Sequence, residues 1–265
     1  MTTYARPATS ATLSLVPTAA APGCVERYNT PVLLTRTTSH TITTALDRVS
    51  GHEVIIKQAH SAEPAAQLRL ACEGAMLRFL ARHELLAPRF VELFEHNGYA
   101  HLVMTRVNGR TLAALHSAGQ ISAAQIVQLL CRLCQSVLRL HQLGYVHHDI
   151  KPPNILVRPD FTPVLIDWGA AAALRGRATP GGIGTVGFAS PDQVRGLVRP
   201  TNDLFALGMT LDALIVRPAP RLSAIIDRAI AQHEPRYHSA AELGRDLAQL
   251  CLIERVASCL SLAAV

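Results

Sequence analysis

The sequence predicts an α+β fold of two lobes, a small β-rich N-lobe with one helix and a larger, mostly helical C-lobe. Three observations carry this prediction. Residues 30–60 alternate as strands do and are rich in β-branched side chains. One helical pattern follows, with Leu70, Glu73, Leu77 and Leu80 on a single face of residues 63–82. After Gly109 strands give way to helices, beginning with a long one over about residues 122–143.

Residues 7–25 carry no charge but hold Pro7, Pro17 and Pro22 among many Ala, Thr and Ser, so residues 1–25 are expected to be a flexible tail. They have no basic flank ahead of an unbroken apolar core, which argues against a signal peptide. VLLT (32–35), HTITTAL (40–46) and EVIIKQA (53–59) read as strands, the last two joined through a turn at Ser50-Gly51. RFVELFE (89–95) and AHLVMTRV (100–107) are two more, and Asn97-Gly98 between them is a hairpin signal. The boundary between lobes falls near Thr105–Gly109, giving an N-lobe over 26–108 and a C-lobe over 109–265.

Composition sets bounds. A chain of 265 residues, 49% hydrophobic and 17% charged, can bury a core. The net charge is +6, but no run of five basic residues occurs, so no nucleic-acid partner is expected. No segment reads as a membrane span, and no membrane partner is expected. Cys131 and Cys134 form a C-x-x-C inside an apolar helical pattern without a second Cys pair or clustered His nearby. They read as buried thiols of a reducing cytoplasm rather than a zinc site.

The chemistry concentrates in GYVHHDIKPPNILVRPDFTPVLIDWGAAA, where His147-His148-Asp149 is followed by Lys151, Asn154 and Asp167-Trp168-Gly169. Taken singly, Asp149 could cap a turn and Asn154 could be a turn amide. The ordered set at loop–strand–loop spacing is more specific. Upstream, Lys57 ends the strand EVIIK, and Glu73 lies sixteen residues on at an inward helix position, where a carboxylate needs a cation. Glu63 is the rival partner, but it precedes Pro64 at the helix start, where a solvated charge is expected.

This set resembles the catalytic and metal-binding loops of eukaryotic-like, bacterial-type Ser/Thr protein kinases, and the resemblance covers about residues 30–252. It implies a single protein kinase-like domain. Asp149 then faces the acceptor hydroxyl and Lys151 neutralises the moving phosphate, while Asn154 and Asp167 hold Mg²⁺. Lys57, paired with Glu73, meets the α and β phosphates of ATP. Ile42, Ile55, Met104, Thr105 and Val107 line the nucleotide, and Thr37 lies in the loop over its phosphates. The position of Lys151 favours Ser/Thr acceptors on a protein substrate. GTVGFASPDQ (184–193) resembles the end of an activation segment, with Asp192 expected to form a buried ion pair with Arg236. Asp203, in TNDLFALGMTL, is expected to support the catalytic-loop backbone.

The pattern also breaks. The three loop glycines of the family fall at Thr35, Thr37 and His40, and the alanine that roofs the adenine is Ile55. Both changes predict weaker ATP binding. The arginine before the catalytic aspartate is His148, which pairs poorly with phosphate, so switching by activation-segment phosphorylation is not expected. Only about RPAPRLSA fills the interval that in the family holds a substrate-docking helix. Two other readings stay open at this point: a pseudokinase acting as a binding or scaffold module, and a small-molecule phosphotransferase, whose metal motif VLIDWGAAA also fits.

Overall fold

The computed structural model describes residues 18–19, 24–37, 39–60, 64–174, 184–232 and 236–262. Thr38, Glu63, residues 233–235 and most of the expected tail lie outside the described residues. The chain parts into two compact units between Asn108 and Gly109.

The first unit begins with β1 (Thr18–Ala19), α1 (Cys24–Arg27) and β2 (Tyr28–Arg36). It continues through β3 (His40–Asp47), β4 (Glu53–Ala59), α2 (Pro64–Arg82), β5 (Phe90–His96) and β6 (Tyr99–Thr105). The strands form one sheet in the order β1-β5-β6-β4-β3-β2. Residues 18–19, expected within a tail, instead pair in parallel with Phe94 and Glu95, so this part of the leader is held by the sheet. Strand β2 starts earlier than its apolar run because its first turn is anchored. Arg27 forks onto Asp47 at 2.7 and 2.8 Å, and the Tyr28 hydroxyl donates to Glu92 at 2.5 Å. The Asn97-Gly98 turn has φ of 52° and 79°, the paired positive values of a type I′ hairpin.

Strand register sorts the sheet into two faces. One carries a core of Tyr28, Ala45, Val54, Ile56, Phe94 and Val103. On the other, Ile42 stands opposite Lys57 and Lys57 opposite Leu102, with Ile55 opposite Met104 beside them. Helix α2 buries Leu70, Glu73, Leu77 and Leu80, the stripe read from its spacing.

The second unit opens where Gly109 passes so close to Val157 that a Cβ would lie 2.6 Å from the Val157 carbonyl oxygen, so only glycine fits. Strand β7 (Arg110–Thr111) and α3 (Leu112–Ser117), a short helix not evident from periodicity, precede α4 (Ala123–Gln142). Ser122 and Gln125 close a capping box at the start of α4. Then come β8 (Tyr145–Val146), β9 (Ile155–Val157), β10 (Pro163–Leu165) and β11 (Ala172–Ala173). The helices α5 (Pro191–Val194), α6 (Pro200–Leu214), α7 (Pro220–Ile230) and α8 (Ala240–Leu262) complete it. Five of the eight residues of RPAPRLSA are the start of α7, so five residues separate α6 from a helix that buries Leu222, Ile225 and Ile226. Cys134 is buried and Cys131 partly so, neither in a disulfide, and burial pushes the Cys134 thiol far up. Among the described residues no helix is long and apolar enough to cross a membrane.

Candidate active site

In the first unit Lys57 Nζ donates to Glu73 Oε2 at 2.8 Å, and the two side chains are 6% and 2% exposed. An ammonium buried to this degree is tolerable only beside a carboxylate, and the pair fixes the direction of the lysine. Ile42, Ile55 and Met104 share its face of the sheet. Thr105 turns its hydroxyl to the amide of Arg89 at 2.9 Å, while Val107 follows in the irregular segment after β6.

The β2–β3 loop holds its own donors. The Thr37 amide donates to the His40 carbonyl at 2.9 Å. The amides of Ser39 and His40 both donate to Thr37 Oγ1, at 3.3 and 3.0 Å. Ser39 Oγ meets His40 Nδ1 at 2.7 Å. Thr37 thus acts as the knot of a tight turn, and the amides that glycines would offer to an anion are spent within the loop.

In the second unit a hairpin explains the spacing of the charged set. Ile155 of β9 stands opposite Leu165 of β10, and the Ile166 amide donates to the Asn154 carbonyl at 3.0 Å. Asn154 and Asp167 are therefore carried to the same end of the hairpin, with Asp167 in the left-handed region at φ 62°.

Asp149 is held from three sides. Lys151 Nζ and Asn154 Nδ2 each donate to its Oδ2 at 2.8 Å, and Thr185 Oγ1 donates to its Oδ1 at 2.7 Å. Lys151 Nζ also reaches Thr185 Oγ1 at 2.5 Å. Sequence reasoning missed Thr185; its signal was the threonine inside GTVGFASPDQ, 36 residues from the carboxylate it meets. With its amide nitrogen turned to the Asp149 carboxylate and carbonyl, Asn154 keeps an amide oxygen for a cation.

Beneath this group Asp203, fully buried, accepts from the amides of His147 and His148 at 2.9 and 2.8 Å and contacts His141 Nε2 at 2.9 Å. Burial is the largest single influence and would raise its pKa, but the hydrogen bond from His141 and the surrounding imidazoles of His141, His147 and His148 together outweigh it and hold the carboxyl below the usual range. Burial keeps His147 and His148 below the ordinary imidazole value, hence neutral near pH 7. The His147 ring meets Trp168 edge-on at 4.4 Å, joining the two motifs through an apolar contact.

One expectation is corrected. Asp192 lies 3.5 Å from Arg236, yet the side chains are 14% and 23% exposed, and the same carboxylate also meets Arg199 at 3.1 Å and Arg195 at 3.5 Å. A partly solvated carboxylate shared among three arginines loses little when one leaves. Arg236→Ala is expected to cost about 1 kcal/mol, a fall in Tm of about 2–4 °C by thermal unfolding.

Comparison with known proteins places the chain. Residues 35–254 match the protein kinase domain. Serine/threonine-protein kinase D of Synechocystis is 29% identical over 202 residues, covering 64% of this chain and 39% of that protein. Serine/threonine-protein kinase PknA of Nostoc is 30% identical over 211 residues, covering 67% and 37%. PknB of Mycolicibacterium smegmatis is 29% identical over 185 residues, covering 56% and 30%. The matched part is thus well under half of each relative's length. With more than half of its length matched, the chain belongs to the protein kinase domain family.

Proposed function

We propose that this domain transfers the γ-phosphoryl group of ATP, with Mg²⁺, to Ser or Thr hydroxyls of a protein substrate. The observation that carries this reading is the Asp149 carboxylate held by Lys151, Asn154 and Thr185. Asp149 orients the acceptor hydroxyl and takes its proton; Lys151 sits where charge on the transferred group needs a cation. Lys57, aimed by Glu73, binds the α and β phosphates, and Ile42, Ile55, Met104, Thr105 and Val107 receive the adenine end. Asn154 and Asp167 would hold the metal. Two oxygen donors, with nucleotide oxygens and water completing the shell, suit Mg²⁺, which when bound neutralises phosphate charge. The relatives bear Ser/Thr kinase names, which supports the acceptor class. A reducing, cytoplasmic setting agrees with the thiols of Cys131 and Cys134.

The test is incubation with γ-labelled ATP and Mg²⁺, followed by mass spectrometry of the products. Label on protein Ser or Thr is expected. Label on small molecules alone would point to a small-molecule phosphotransferase. No label, with a melting temperature still raised by nucleotide, would point to a binding module without turnover.

The loop gives a second expected outcome. Exchanging Thr35, Thr37 and His40 for glycine together should tighten ATP binding in titration calorimetry, because the exchange removes the Thr37 knot and bares the loop amides. Unchanged or weaker binding would mean that the loop has no part in holding phosphate.

A further inference from the structure

In this chain Gln193 and Asn202 join the end of the activation segment and the helix after it to the catalytic loop through hydrogen bonds to His148. The His148 backbone is left-handed at φ 67°, which for histidine must be enforced by its surroundings. Its amide is held by Asp203, and its carbonyl oxygen accepts from Gln193 Nε2 at 2.6 Å. Its ring meets Asn202, whose Nδ2 lies 3.0 Å from His148 Nε2. Asn202 Nδ2 also donates to the Leu197 carbonyl at 2.7 Å, and Asn202 Oδ1 accepts from Ser190 Oγ at 2.9 Å. Gln193, Asn202, His148 and Ser190 are all buried.

These partners leave one assignment of atoms. The Leu197 carbonyl can only accept, so the amide of Asn202 must present nitrogen on that side, and the same nitrogen faces His148. His148 Nε2 must then accept, which puts the ring proton on Nδ1, a buried nitrogen that meets no partner among the described residues. The arrangement requires an uncharged ring with an acceptor. An arginine at 148, five donors and no acceptor, could not take it. Gly184 completes the contact: at φ 78° it passes where a Cβ would lie 2.5 Å from Gln193 Nε2 and 2.6 Å from the His148 carbonyl oxygen.

We infer that Asn202, through the His148 ring, and Gln193, through the His148 carbonyl, are positioning residues that hold Asp149 in its working place without activation-segment phosphorylation. The inference rests on the proposed phosphoryl transfer and adds how the site is kept assembled. The hydrogen bonds described for both residues run to His148, Ser190 and Leu197 rather than to the groups proposed to bind ATP, so losing either should act on turnover and not on nucleotide affinity.

The experiment uses the full chain. After phosphatase treatment, wild-type turnover should be unchanged; loss of turnover would overturn the inference. Asn202→Ala should lower kcat by about tenfold, the worth of one buried hydrogen bond, with KM for ATP within about twofold. Gln193→Ala should do the same, and serves if Asn202→Ala fails to fold. His148→Leu should lose turnover, and His148→Gln, whose side-chain oxygen can still accept from Asn202, should recover most of that loss. His148→Arg should remain as poor as His148→Leu, although arginine is the residue usual in the family. Unchanged kcat in both alanine variants, or full turnover in His148→Arg, would overturn the inference. Nitrogen NMR of the imidazoles reads the ring directly: an Nδ1-protonated, Nε2-accepting His148 supports it, and a charged ring or the other tautomer overturns it. A wild-type protein without any turnover would count against the proposed function, and the imidazole spectrum would then decide the network.

Discussion

Asp149→Ala is expected to leave nucleotide binding nearly intact and to lower turnover by several orders of magnitude, measured as kcat with labelled ATP alongside calorimetric affinity. The carboxylate touches Lys151, Asn154 and Thr185, and removing it deletes the group proposed to orient the acceptor. Asp167→Ala should differ in kind, losing transfer through loss of a metal ligand and weakening nucleotide binding in the presence of Mg²⁺. If Asp149→Ala turned over like the wild type, the catalytic assignment would be wrong. Equal loss of affinity and turnover in both variants would show that the two aspartates serve one binding function.

The second large effect is on stability. Asp203→Ala removes a fully buried carboxylate that satisfies two backbone amides and a buried histidine, leaving those donors unpaired. A loss of about 3–5 kcal/mol is expected, visible as a lower Tm and denaturation midpoint. Acid should act on the same cluster. His147 and His148 have depressed pKa values, so the unfolded chain binds more protons than the folded one as pH falls below about 6.5. Their contribution is therefore present above that pH and declines beneath it. Asp203, also depressed, adds a further loss below about pH 4. A Tm that rises on acidification from pH 7 to 5 would contradict this.

What could be seen in the sequence was what local periodicity and spacing encode. Asn154 and Asp167, thirteen positions apart, flank one short hairpin, and its register alone carries both to one end. Glu73 stands out because an inward carboxylate on an apolar helix face requires a cation. The boundary at Gly109 shows as a change of period, and the structure adds the steric reason for that glycine. What could not be seen depends on where distant segments pass. Thr185 and Asn202 are ordinary residues until a turn or a helix brings them 36 and 54 positions back to the catalytic loop. The threefold sharing of Asp192 was hidden because pairing rules name one partner, whereas a carboxylate that keeps some access to solvent collects whichever arginines lie near. Strand β1 escaped because two residues in an uncharged, proline-punctuated leader carry no alternation to read.

The Thr37 knot has a consequence for how affinity in this domain is to be understood. A loop whose amides are engaged with Thr37 and His40 must open before they can meet an anion, so the share of ATP binding proposed for this loop draws on its open fraction. The apparent dissociation constant is then the intrinsic one divided by that fraction. Substitutions that loosen the turn tighten binding without adding a contact to the ligand, and their benefit saturates once the open form predominates. Substitutions at Lys57 or Asp167, the residues proposed to meet the phosphates and the metal, should have no such ceiling, since they would change the intrinsic constant itself. Two classes of variant that look alike in a single affinity measurement are thus separable by whether their effects level off when combined.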